Sequence, residues 1–358
     1  MYDRSIPSPG LCTTFLALLT LLLAATAVSC SRPNLSGSAA TDTGGGAGSL
    51  IDCGPGSTGS TRDTPTVNAA AASAGIVSSY PGDVGIETHP DVVFVERFDD
   101  WLSHIFSRWG DVRNGANMTL DADVPAGSPG GCSLQIAGAN GGGYLYKLLA
   151  PAHDDTLSVR YYVKYPRNSS PAHTGIWVGG SSPPLFWPNP QAGIKPTGHD
   201  RFIAGAEATV SDGHQFDHYD YWMGMHRSAD GQYWGNVLLN NPKVRTKLGE
   251  WLCVEHMVKL NNPVTSANGE HAIWLDGRQV SHLGPGFPQG FWLGGRFMQD
   301  ASVSTTFEGF QWRNDPALKL NWIWLQNYTP TDASMTLKFA HVVVAMSYIG
   351  CLSGGPRE

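Results

Sequence analysis

The chain has 358 residues, only 15% of them charged, with 43 glycines, 24 prolines, 12 tryptophans and a net charge of −7. That is a loop-rich extracellular composition, not a helical cytosolic one. No basic cluster is present, so the sequence carries neither a nucleic-acid footprint nor a polybasic membrane patch.

The first element is an apolar run, Leu11 to Val28, close to the amino terminus and ending in small residues. It reads as the hydrophobic part of a secretory signal rather than a spanning helix. Ala27-Val28-Ser29-Cys30 resembles a bacterial lipoprotein box. The resemblance implies a signal peptide over residues 1–29, cleavage before Cys30 and lipidation of its thiol. The protein is then expected to be exported to the cell envelope and held there by lipid, without spanning the bilayer. Residues 30–88 are rich in Gly, Ser, Thr and Ala. They bury too little apolar surface to offset ordering entropy and read as a flexible tether. Residues 354–358 are a short tail.

The folded domain is expected over residues 89–353. Val92 to Glu96 is a short apolar strand, and Leu102 to Trp109 has the pattern of a short helix. Cys132 to Ala137 and Gly143 to Leu149 are strands joined by a glycine-rich segment, which predicts a hairpin. Leu157 to Tyr165 alternates cleanly, and Thr174 to Val178 and Arg201 to Val210 are further strands. Gly179 to Asp200 is a long Pro/Gly loop containing Phe186 and Trp187. A loop of that length in a compact domain is commonly functional, and this one is read as the wall of a site. Trp251 to Leu260 and His271 to Val280 follow, the latter broken by an Asp276-Gly277 turn. Phe307 to Trp312, Leu318 to Tyr328 and Leu337 to Ile349 complete the set. About a dozen strands with turns between them predict an all-β, antiparallel β-sandwich.

After the expected processing, Cys53, Cys132, Cys253 and Cys351 remain, an even number for an oxidising compartment. The preferred pairing is Cys253 with Cys351, leaving Cys53 with Cys132. No C-x-x-C spacing is present, so no zinc site is expected. Asp-rich loops such as Asp99-Asp100 leave a calcium ion open but carry no ligand-loop signature, so no metal or cofactor is assigned.

Phe216 to Asn236 mixes aromatic and titratable residues more densely than any other window. Tyr219 to His226 has strand composition, Asp230-Gly231 a turn signal, and Tyr233 to Asn236 begins a return strand. In a regular strand Tyr219 and Tyr221 share one face, and Asp220, Trp222 and His226 the other. A bulge near Gly224 would bring His226 round to the tyrosines. The residue set suits a sugar, with aromatic faces for the ring and hydroxyl, imidazole and amide groups for its edges.

Glu250 to Asn261, Asn268 to Gly277 with its Trp274-Leu275-Asp276-Gly277 turn, and the closing Ala340 to Ala345 together resemble the concanavalin-A-like jelly rolls of secreted polysaccharide lyases and glucanases. The resemblance spans most of Asp91 to Cys351. It implies a jelly-roll fold and a polysaccharide partner, but fold does not settle chemistry. The Glu-x-Asp-x-Glu strand of retaining glucanases is missing. Where related alginate lyases carry Gln-Ile-His, this chain has Gln135-Ile136-Ala137.

The residue types point first to a lyase that cleaves a uronate polysaccharide by β-elimination. Such a reaction needs a base, an acid and donors for the carboxylate. Tyr219, Tyr221, His226 and Arg201 are the expected catalytic set. His173, Trp177, Trp187, Glu207, Trp222, Trp234 and Asn236 are the expected substrate contacts, with Glu207 orienting Arg201. The alternatives are a glycan-binding surface protein and a two-carboxylate glycoside hydrolase. A monomer is expected.

Overall fold

The computed structural model describes residues 75–169, 171, 173–186, 192–208, 215–328 and 334–353. Along the chain run β1 (Val92–Glu96), α1 (Leu102–Trp109), β2 (Asp111–Arg113), β3 (Met118–Asp121), β4 (Ser133–Ile136), β5 (Gly143–His153), β6 (Thr156–Lys164), β7 (Thr174–Ser181), β8 (Arg201–Ala208), β9 (Phe216–His218), β10 (Trp251–Lys259), β11 (Glu270–Leu275), β12 (Arg278–Leu283), β13 (Gly290–Leu293), β14 (Arg296–Gln299), β15 (Leu320–Asn327) and β16 (Leu337–Ala345). The larger sheet has the order β12-β11-β10-β6-β16-β4-β3, with β1 also on β16. The smaller has the order β2-β5-β15-β7-β8-β9, and β13-β14 is a separate hairpin. All pairings between these strands are antiparallel. This is the antiparallel jelly-roll sandwich expected from the sequence.

Alternation explains how the sheets pack. In β6, Leu157, Val159, Tyr161 and Val163 enter the main core, which also holds Ile176, Val178, Ile323 and Leu325 from the smaller sheet. The other face of β6 carries Arg160, which is nonetheless fully buried. Its guanidinium pairs with Asp83 and donates to the His341 carbonyl at 2.7 Å. Asp83 belongs to residues 76–88, which were expected within the tether. They instead form three short 3-10 turns that bury Ile76, Val77 and Ile86. A buried guanidinium needs a carboxylate close by, and this segment supplies it.

Cys253 and Cys351 form a disulfide, as preferred from the sequence. Cys132 is also disulfide-bonded; Cys53, its expected partner, lies outside the described residues, as do Cys30 and the expected signal peptide. Among the described residues no helix is long and apolar enough to cross a membrane.

Three local expectations are corrected. β4 and β5 do not form a hairpin: the glycine-rich joint carries the chain from the larger sheet to the smaller. Phe307 to Trp312 forms no strand, only a bridge between Gly269 and Phe310. Tyr219 to His226 is not one strand either. Pairing ends at Tyr221, which bridges Ile203, and Trp222 to Met225 is a turn closed by Met225 N–H to the Trp222 carbonyl at 3.1 Å. The expected turn after Ser228 is present, with Gly231 at φ +84°.

Candidate active site

One face of the smaller sheet builds a cleft of about 400 Å³. Strand register decides what reaches it. Arg113 on β2 lies opposite Tyr144 on β5, Tyr144 opposite Gln326 on β15, and Trp324 opposite Trp177 on β7. Trp177 lies opposite Gly205 on β8. A side chain at 205 would press on the Tyr219 carbonyl and the Trp177 indole, so glycine there lets both approach. Tyr219 and Tyr221 close the cleft beyond β8, and Trp234 stands at the rim, 40% exposed. The Tyr219 ring lies against the backbone of Gly235, where a Cβ would collide with it.

His173 is the titratable centre of the cleft. Its Nδ1 is 2.8 Å from Glu207 Oε1, while Trp177 Nε1 donates to Glu207 Oε2 at 2.9 Å. Glu207 is fully buried beneath them. Burial works to lower the His173 pKa, but the charge and hydrogen bond of Glu207 outweigh it and raise it. Burial pushes the Glu207 pKa up, against the His173 charge and the two donors that pull it down. With both carboxylate oxygens accepting, the shared proton belongs on His173 Nδ1. That tautomer leaves Nε2 with a lone pair. The His173 backbone has φ +52°, an uncommon conformation for a residue other than glycine.

The His173 ring packs edge-on against Tyr219, with centroids 4.9 Å apart. Tyr221 Oη donates to Tyr219 Oη at 3.5 Å. Burial raises both tyrosine pKa values, so both are protonated at neutral pH and act first as proton donors. Trp177 and Trp324 meet at 4.9 Å, and Tyr144 packs on Trp324 at 6.0 Å, giving the cleft an aromatic floor. Gln326 is 2% exposed, and its Nε2 has no hydrogen-bond partner among the described residues. No carboxylate lines the cleft among the described residues.

Of the residues singled out in the sequence, the fold therefore brings His173, Trp177, Tyr219, Tyr221 and Trp234 to one cleft, with Glu207 beneath it. Others go elsewhere. Arg201 is 2% exposed and donates to Asp200 at 2.7 Å and to the Ile194 carbonyl at 2.8 Å. It sits behind Tyr221, close enough for its charge to act on that hydroxyl, and does not line the cleft. Glu207 orients His173 and Trp177, not Arg201. His226 is turned away by the Trp222–Met225 turn. It stacks on Trp292 at 3.9 Å and lies 3.5 Å from Glu308. Asn236 is buried and brackets the His226 backbone, accepting from its N–H at 2.7 Å and donating to its carbonyl at 2.9 Å. Trp222 is a core residue, 1% exposed, packed on Phe310 and Trp312. Trp187 lies outside the described residues. Of the loop expected as a wall, Ala192 lines the cleft and Gly193 bridges Tyr233.

Arg113, Tyr144, Trp324 and Gln326 escaped the sequence reading. The alternation Trp322, Trp324, Gln326 within Leu320 to Asn327 marks one face of that strand, and this pattern was the available signal.

No sequence family and no curated protein matches this chain. Among solved structures it is similar to a mutant of the alginate lyase Aly36B in complex with an alginate trisaccharide, at 12% identity and TM-score 0.45, covering 72% of this chain and 100% of that one. It is also similar to Cip1, a cellulose-induced protein, at 12% identity and TM-score 0.42, covering 72% and 99%. Lectin I-B4 from Griffonia simplicifolia follows at 7% identity and TM-score 0.36, covering 70% and 98%. Likeness this distant carries no argument about chemistry, which rests on the cleft's own residues.

Proposed function

We propose that the cleft binds a uronate-containing polysaccharide and cleaves it by β-elimination. The observation that carries this reading is the His173–Glu207 pair set against Tyr219 and Tyr221 in an aromatic cleft that, among the described residues, no carboxylate lines. His173 Nε2 removes the proton alpha to the uronate carboxylate, while Glu207 holds the ring and stabilises the imidazolium that forms. The Gln326 amide and the Arg113 guanidinium are the donors for the carboxylate as it takes on enolate charge. Tyr219 or Tyr221 returns a proton to the departing glycosidic oxygen. The C–O bond breaks, a C4–C5 double bond forms, and no water is consumed. Trp177, Trp324 and Trp234 supply faces for sugar rings.

Hydrolysis by two carboxylates has no support here, because Glu207 is buried and already takes two hydrogen bonds. Glycan binding without catalysis is the second reading, favoured by the three tryptophans. The domain is proposed to work at the envelope surface, held by a lipid on Cys30. Replacing Cys30 with Ala releases it from membrane fractions on this account.

Purified protein incubated with polymannuronate, polyguluronate, polyglucuronate and polygalacturonate tests the reaction. Elimination produces ultraviolet absorbance from the new double bond. New reducing ends without absorbance indicate hydrolysis, and binding with neither indicates a lectin-like role.

A further inference from the structure

Behind the tyrosines, on the core side of the same segment, lies a second cluster that the elimination chemistry does not use. His218 ends β9, Asp220 follows, and His271 on β11 reaches across from the larger sheet; all three are fully buried. Their inward atoms form a small triangle. His218 Nδ1 is 3.0 Å from His271 Nδ1, His271 Nδ1 is 3.0 Å from Asp220 Oδ2, and His218 Nδ1 is 3.7 Å from Asp220 Oδ2. Zinc–nitrogen and zinc–oxygen bonds of about 2.0–2.1 Å set the edges of a tetrahedral site at about 3.3 Å, within the span of these three.

We propose that His218 Nδ1, His271 Nδ1 and Asp220 Oδ2 bind one divalent transition-metal ion of the zinc class, with a water completing the tetrahedron.

The surroundings are arranged as metal ligands require. Each ligating histidine has its other ring nitrogen engaged: His218 Nε2 lies 2.7 Å from Ser281 Oγ, and His271 Nε2 lies 3.2 Å from His256 Nδ1. Such outer partners fix the tautomer and turn the lone pair inward. Asp220 has its second oxygen occupied as well, since Oδ1 accepts the Gly205 N–H at 3.0 Å. That leaves Oδ2 for a single metal bond. No lysine or arginine pairs with Asp220 among the described residues, and a buried carboxylate calls for a cation. Two imidazole nitrogens and a carboxylate oxygen suit zinc, and the site opens onto no described cleft. The ion would tie β9 to β11 across the sandwich and pin the backbone from which Tyr219 and Tyr221 project.

This proposal is independent of the elimination reading, and its readout is metal content. Protein produced in zinc- or cobalt-supplemented medium is desalted, and bound metal is counted by mass spectrometry. One ion per chain is expected, and the cobalt form should show the intense visible bands of tetrahedral coordination. Ser281→Ala is expected to fold and to hold the ion about 10–100-fold more weakly. His218→Gln/Asp220→Asn is expected to hold no ion; should it be too unstable to isolate, the wild-type cobalt spectrum and Ser281→Ala still decide the matter. Folded wild-type protein free of stoichiometric zinc or cobalt overturns the proposal. So do octahedral cobalt bands, or metal affinity unchanged in Ser281→Ala.

Discussion

Residues His218 to Trp222 present two faces to two environments. Tyr219 and Tyr221 turn to a cleft, whereas His218, Asp220 and Trp222 turn to the core. Each side has a histidine against a carboxylate: His173 with Glu207 at 2.8 Å, and His271 with Asp220 at 3.0 Å. The difference lies in what the other ring nitrogen meets. His173 lines the cleft, with Nε2 left over for a substrate. His271 and His218 have theirs tied to neighbouring side chains inside the sandwich. On the proposed readings, the same pair of residue types serves proton transfer where one end is open, and ligation where both ends are closed.

The sharpest way to break this contrast is at the open pair. His173→Ala is expected to lower turnover by about 10²–10⁴-fold while thermal unfolding stays cooperative. Steady-state rates and circular dichroism on the same sample check it. Retained turnover would move the base elsewhere.

Two tryptophans test the next largest difference. Trp222→Ala on the core side is expected to cost about 3–5 kcal/mol of stability. Trp234→Ala at the rim should stay within about 0.5 kcal/mol in stability. It should instead weaken polysaccharide binding by about 0.5–1.5 kcal/mol. Denaturant titration and equilibrium binding separate the two outcomes.

A finer effect concerns pH. As a base His173 must be neutral, so activity rises with pH through its raised pKa. Glu207→Gln removes the charge that raises it, and the rising limb should shift to lower pH. A purely structural role for Glu207 would lower activity without that shift.

The smallest expected effect is on stability. A histidine whose pKa is raised in the folded state contributes stability fully below its unfolded value, near 6.5. That contribution is lost as pH rises through the folded value. Melting temperature measured across this window should fall more in the wild type than in Glu207→Gln.

These outcomes also bear on how much the sequence discloses. Alternation in Leu157 to Tyr165, the Asp276-Gly277 turn and the Cys253–Cys351 pairing can all be read locally, because each depends on neighbours in sequence or on compartment. Trp177 and Trp222 are the same residue type, and each lies in a segment with strand composition. Their fates separate only through distant partners, Trp324 and Glu207 for one, Phe310 and Trp312 for the other. His226 joins the tyrosines only if the strand runs on through a bulge near Gly224, and the Trp222–Met225 turn ends the strand instead. Gln326 and Tyr144 meet only through register, with more than 180 residues between them. The His218, Asp220 and His271 cluster has the same origin: its ligands lie on opposite sheets, so no short motif records it. Residues 76–88 were misread for a different reason. Their composition is that of a linker, but Ile76, Val77, Ile86 and Asp83 anchor them.

On the proposed reading the cleft carries out β-elimination with His173 as base. The most direct test follows unsaturated ends by ultraviolet absorbance on the uronate polymer bound most tightly, for wild type and His173→Ala in parallel. Steady accumulation is expected with the wild type, and near-loss with the variant while binding persists. A wild type that binds the polymer and releases no unsaturated ends would contradict it, as would a variant that releases them at the wild-type rate.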